Sequence, residues 1–296
     1  MKLLNALLIT AIAVTCSCKQ HEEQETDAPD KTKWERVLEK RDFYVSNYTP
    51  AIFQQRCDNL TFMSLWSAFT SNAETDVYGL ELRPGEWHRD TKGCFPNDSK
   101  SEISRDGFIM LLNYLRVQED SSALHRIWDY GVEHNWIMGD GPWKLTNMLP
   151  LVPVLAKMIN KEWTPPVVAY NVLSMDIDSH YDAHTNDVKF TKKDLLTGFR
   201  GHLLTMYLYL VGKLNGSLNE LEFKAVQMLY EENSNNPLVL AVYHRFGDGD
   251  QGSAIEILNS DVKNPWEVTT ETGVYGWGSC PKIVHFVTAV GILEGI

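Results

Sequence analysis

Apolar residues recur along this chain at helical spacing. Phe108, Leu111, Leu112 and Leu115 make one stripe, and Leu124, Ile127, Trp128, Gly131 and Val132 make the next, with a polar turn over 118–122 between them. That pattern predicts a helical hairpin. Asp98, Ser99 and Ser104 are candidate N-caps for its first helix, and Ser99 with Glu102 has the capping-box spacing. A helix is expected upstream over 51–70. Downstream the spacing predicts helices over 145–160, 192–214, 217–232, 237–245, 253–259 and 281–293, each bounded by Gly, Asn, Ser or Pro. Pro150 and Pro153 must kink the first of these or move its start inward, and Pro165-Pro166 opens another short helix. The longest, 192–214, carries Leu195, Leu196, Phe199, Leu203, Met206, Leu210 and Leu214 on one face and Leu204 and Leu208 on the other. It is therefore expected to be central and buried on both sides. Arg200 and His202 interrupt it, which excludes a membrane span, and His202 reads as a buried, hydrogen-bonded histidine.

Extended segments are few. Only 76–87 and 187–190 suit a short hairpin or extended loop, and nothing alternates strand with helix, which argues against a doubly wound sheet or TIM barrel. About nine to eleven helices joined by short turns predict an all-α fold of antiparallel hairpins, arranged as a closed ring or an irregular bundle.

Composition narrows the class. With 44% hydrophobic and 22% charged residues in 296, the chain is globular, and disorder, collagen and coiled coil are excluded. Lysine plus arginine number 27 against 39 acids, a formal charge of -12 that argues against nucleic acid as a partner. The N-terminus has its own signature: Lys2, an apolar run to Thr15, then Cys16-Ser17-Cys18. This is an export signal, too short to span a membrane. It resembles a bacterial lipoprotein signal, in which a cysteine becomes the lipidated first residue; Cys18 is the expected acceptor, with Cys16 the alternative. The resemblance implies the bacterial cell envelope, with contact to the membrane through the N-terminal lipid only. The next segment, up to Lys33, is densely charged and lacks aromatics, as a flexible tether does. The expected organisation is a signal peptide over 1–17, a tether over 18–33 and a single helical domain over 34–296. Cys57, Cys94 and Cys280 lie in that domain; export permits a disulfide between two of them, with the pairing open, and none has zinc-site CxxC spacing.

Three constellations carry chemistry. The first contains Trp87, His88, Arg89, Asp98, Lys100, Glu102, Arg105 and Asp106, and leads straight into the helix that begins near Phe108. It reads either as a well-capped helix start with solvated charges or as a binding edge, since a helix N-terminus stabilises an anion placed there. Glu102 and Asp106 are four apart and share a face if the helix begins early. The second constellation holds Trp128, His134, Trp136, Asp140 and Trp143. Indole beside carboxylate and imidazole suits a sugar cleft, because pyranose CH faces pack on aromatic rings while hydroxyls bond charged groups; the same tryptophans also serve as core filler. The third is Asp176, Asp178, His180, Asp182 and His184, with an ionisable group at every second position. In an extended segment these share one face, and imidazole with carboxylate suits a divalent metal, although a solvated acidic loop accounts for them as well. Asp248-Gly-Asp250 with Glu256 is a fragment of a calcium loop that departs from the full pattern.

The helix start Ser104-Arg105-Asp106-Gly107, followed by a hairpin partner ending Asn135-Trp136-Ile137-Met138-Gly139-Asp140, resembles the inner-helix starts of (α/α)-toroid carbohydrate-active enzymes. These are glycoside hydrolases and polysaccharide lyases built from a ring of helical hairpins. Gly276-Trp277-Gly278 fits the same style. The resemblance implies a toroid, incomplete because the domain is short for a full ring, with a cleft at the N-terminal ends of the inner helices. Asp106 and Asp140 then supply acid and base, at the separation of about 5 to 9.5 Å of paired glycosidase carboxylates. A hydrolase uses these two or Glu102. A lyase uses His88 or His134 as base, with Arg105 neutralising a uronate. Substrate-binding positions are Trp87, Arg89, Asp98, Lys100, Trp128, Trp136, Trp143 and Trp277. The expected partner is a poly- or oligosaccharide, with no cofactor required. The alternatives are a non-catalytic lipoprotein that binds glycan or peptide, and a metal-dependent hydrolase centred on Asp176, Asp178, His180 and His184. No nucleophile elbow, Walker loop or dinucleotide fingerprint is present.

Overall fold

The computed structural model describes residues 31–47, 59–70, 76–89, 103–139, 148, 151–163, 180–181, 189–190, 196, 198–260 and 282–296. The signal, the tether up to residue 30, Cys16, Cys18, Cys57, Cys94, Cys280 and the helix expected at Pro165-Pro166 lie outside them. All elements belong to one compact unit, Thr32–Ile296.

The described chain is mostly helical. Its helices are α1 (Lys33–Asn47), α2 (Asn59–Thr70), α3 (Arg105–Val117), α4 (Ser121–Glu133), α5 (Val152–Met158), α6 (Gly198–Asn215), α7 (Glu220–Glu232), α8 (Pro237–Phe246), α9 (Gln251–Ser260) and α10 (Lys282–Glu294). Two antiparallel pairs of short strands accompany them: β1 (Glu81–Arg83) with β2 (Glu86–Trp87), and β3 (His180–Tyr181) with β4 (Lys189–Phe190).

Local sequence sets the boundaries. Ser104 caps α3 by accepting from the Gly107 N–H, and Asp120 caps α4 by accepting from Ala123. Asn219 and Glu222 form a reciprocal capping box at α7, and Asn236 with Pro237 opens α8. The helix expected over 145–160 is α5, whose start Pro153 holds at Val152. Helix α1 goes beyond the sequence expectation. Its seven charged residues obscure an apolar face of Val37 and Tyr44, to which Lys40 adds its buried stem beneath an ammonium that lies 5.2 Å from the Phe286 ring centre.

Five helices close a circuit of neighbours: α2 packs on α3, α3 on α6, α6 on α8, α8 on α10 and α10 back on α2. Eleven of the twelve α2 residues are buried, as a helix in the middle of a core requires. Outside the circuit, α1 packs on α9 and α10, α4 on α3 and α5, α7 on α6 and α8, and α9 on α8.

The circuit helices run in one direction. At one end Thr61 of α2 meets Asp106 of α3, and His202 of α6 meets His285 of α10, all within the first two turns of their helices. At the other end Tyr209 of α6 packs against Phe69 of α2 and Phe246 of α8, at 5.7 and 6.1 Å between ring centres, and its hydroxyl donates to the Ile296 carbonyl. Arg116, Lys213 and Arg245 stand in the last turns of α3, α6 and α8. Cations there complement the negative ends of parallel helix dipoles, and Lys213 also donates to the Gly295 carbonyl at 2.8 Å.

The α4 side depends on a glycine. A Cβ on Gly131 lies 2.3 Å from the Trp136 ring, so only glycine lets that indole cross α4 and meet Trp128 edge-on at 5.0 Å. Gly131→Ala is expected to displace Trp136 and cost about 1–3 kcal/mol, as overpacking does. Thermal melting followed by tryptophan fluorescence checks this; an unshifted transition counts against the packing described.

Candidate functional site

The first two turns of four circuit helices bring their polar residues together. Asp106 is the second residue of α3, where a carboxylate gains from the helix dipole. Thr61 Oγ1 donates to its Oδ2 at 3.4 Å, a long contact, and a Cβ on Gly107 would lie 3.4 Å from the same threonine oxygen. His202 and His285 face one another with ring centres 5.0 Å apart and planes tilted by 36°. Asp106, His202 and His285 are only 4%, 3% and 1% exposed.

Electrostatics tie the cluster together. Burial pushes the His202 imidazole down to about 4, against the opposing pull of the Asp106 carboxylate. Burial, and then the neighbouring His202, drive His285 well below its ordinary value. Both imidazoles are therefore neutral at pH 7. Held below its ordinary value, the His202 imidazole is a weak proton acceptor at neutral pH and faces the Asp106 carboxylate as a neutral polar partner.

The β1–β2 hairpin forms a rim at this end. The Leu60 N–H, at the start of α2, donates to the Arg89 carbonyl at 3.0 Å. The His88 N–H donates to Leu80, and the Trp87 N–H reaches Met138 Sδ at 3.1 Å. Arg126 of α4 grips Glu81 of β1 with two nitrogens, at 2.8 and 2.6 Å. Gly85, at φ +81°, closes the turn where a Cβ would strike the Arg126 carbonyl oxygen at 2.1 Å. Because α3 and α4 form a hairpin, the end of α4 and residues 135–139 return to the Asp106 end. Asn135 and Trp136 both adopt positive φ there, at 53° and 61°, a conformation costly for a bulky side chain.

Of the expected catalytic residues, Asp106 lies in the cluster and Arg105 is exposed beside it at the first position of α3. His88 is buried in the hairpin, 3.4 Å from Glu86. His134 caps the end of α4, stacked on Tyr130 at 3.9 Å. Trp87 is fully buried against Tyr78, Trp128 and Trp136 pack on each other, and Arg89 is half-buried. Asp98, Lys100, Glu102, Asp140, Trp143, Asp176, Asp178, Asp182, His184 and Trp277 lie outside the described residues, as does any separation between Asp106 and Asp140. Of His180 the backbone pairing with Phe190 is described. Asp248, Asp250 and Glu256 stand at and within α9, where Asp250 accepts from the Ser253 N–H and Glu256 pairs with Lys33.

Thr61 and His285 are additions that the sequence reading did not single out, and His202 entered it only as a core residue. Their signal was present: Thr61, His202 and His285 are polar residues near the starts of apolar helices. Among the described residues no three His, Cys, Asp or Glu side chains are grouped to hold a metal ion, and no helix is long and apolar enough to cross a membrane. Comparison with protein families, with characterised proteins and with solved structures gives no match to this chain.

Proposed function

We propose that this protein is an exported, lipid-anchored enzyme that cleaves glycosidic bonds of a poly- or oligosaccharide at the N-terminal ends of α2, α3, α6 and α10. One observation carries the reading. Asp106, His202 and His285 converge at the shared end of parallel helices, beside a hairpin rim and a strained aromatic loop. On this reading the five-helix circuit is the inner ring of an incomplete toroid, with α1, α4, α7 and α9 outside it. Asp106 is the acid–base group and His202 its neutral polar partner. Hydrolysis pairs Asp106 with Asp140 or Glu102, whereas elimination uses Arg105 against a uronate, with His88 or His134 as base. No cofactor is needed for either. Cys18, or Cys16, carries the lipid that holds the domain at the cell envelope.

The near-complete burial of the cluster favours a second reading, a glycan- or peptide-binding lipoprotein in which Asp106, His202 and His285 serve the core. Incubation with neutral and uronate-containing polysaccharides separates the two. New reducing ends without ultraviolet absorbance are expected from hydrolysis, and unsaturated products from elimination. Binding without either product rejects catalysis and leaves the second reading.

A further inference from the structure

Among the described residues, α2, α3 and α10 carry buried polar atoms that have no hydrogen-bond partner. Ser64 stands one turn beyond Thr61 on α2, Thr288 one turn beyond His285 on α10, and Asn113 two turns beyond Asp106 on α3. Residues three, four or seven apart share a helix face, so each continues the face of a member of the cluster. Helix α2 sits between α3 and α10 and packs on both. Ser64, Asn113 and Thr288 are each 1% exposed or less. Ser64 Oγ, Thr288 Oγ1, Asn113 Nδ2 and Asp106 Oδ1 have no hydrogen-bond partner among the described residues.

Such groups are costly to leave unmatched, and a helical hydroxyl has a ready remedy in the carbonyl four residues back. Thr205 takes it, donating to the Gly201 carbonyl at 2.7 Å, and Thr70 donates to Trp66 at 2.8 Å. Ser64 and Thr288 make no such bond. Asn113 already uses its carbonyl oxygen to hold Arg116, at 3.1 and 3.3 Å, which leaves its amide hydrogens for another acceptor. The set therefore offers a carboxylate acceptor, two hydroxyls and an amide donor along about 10 Å of helix axis. Water, which donates and accepts in equal number, is the ligand that such a mixed set binds.

We propose that the polar faces of α2, α3 and α10 enclose a site for a chain of ordered water molecules that bridges Asp106 to Ser64, Thr288 and Asn113. The chain solvates the Asp106 carboxylate inside the core. It rests on burial and hydrogen bonding alone, so it stands or falls independently of the glycan reading.

Two near-isosteric variants, Thr288→Val and Ser64→Ala, test it by thermal melting without any substrate. If water occupies the site, each hydroxyl is hydrogen-bonded, and its removal lowers the melting temperature by about 2–4 °C. The double variant then loses less than the sum, because the two hydroxyls share waters. If the site is dry, each substitution removes an unmatched polar group and the melting temperature holds or rises, which overturns the proposal. A crystal structure of the unsubstituted protein gives a check that needs no variant. Solvent density within about 3.2 Å of Ser64 Oγ and Thr288 Oγ1 is expected, and close apolar packing at both atoms refutes the site.

Discussion

Lowering the pH from 7 to 4 is expected to remove on the order of 3 kcal/mol of folding stability through His202 alone. In the unfolded chain this imidazole takes up its proton near pH 6.5, whereas burial in the folded protein holds it back until about 4. Between those values the unfolded state carries more bound protons, so stability falls as pH falls through the window. His285, shifted in the same direction by burial and by His202, adds to the loss. Against the 5–15 kcal/mol of an ordinary domain this is a large fraction, and between pH 6.5 and 5 it precedes the titration of ordinary carboxylates near 4. Denaturant midpoints measured at pH 7, 6, 5 and 4 are expected to drop steadily, and His202→Gln should show a shallower slope. A flat profile, or the same slope in the variant, removes the buried neutral pair from the account.

On the proposed function, Asp106→Asn is expected to lower polysaccharide turnover by about 10²–10⁴-fold. Asparagine preserves the size of the side chain and its place in the first turn of α3, and it can still accept from Thr61. It cannot take up or deliver a proton at neutral pH. The variant should therefore melt as a folded protein while its rate collapses. Full activity in a folded Asp106→Asn protein would remove Asp106 from the chemistry and pass the acid–base role to other residues of the rim.

The fold was legible wherever the chain combined a helical stripe with a side-chain cap. The α3–α4 hairpin is the plainest case, with its apolar stripes, Ser104 and Asp120 all visible in the sequence. Helix α1 was not, because Lys40 contributes its stem to the buried face while counting as a charge in any pattern. Asp106 stood out as an acid at the start of an apolar helix. Its partners did not, since His202 and His285 are 83 positions apart and meet only when α6 and α10 share the circuit. Trp128 and Trp136 illustrate a further limit. Their edge-on contact depends on the missing side chain at Gly131, which no pattern of aromatic and charged residues announces. Spacing along one helix reveals which residues share a face; it is silent about what a distant helix brings to that face.

On the proposed function a glycan is cleaved at the shared N-terminal end of α2, α3, α6 and α10. The most direct test is a crystal structure of Asp106→Asn with an oligosaccharide of the cleaved polymer bound. A sugar ring is expected at that end, with a glycosidic oxygen within about 3.2 Å of the side chain at position 106. Sugar found only against Trp128 and Trp136, away from position 106, would contradict it.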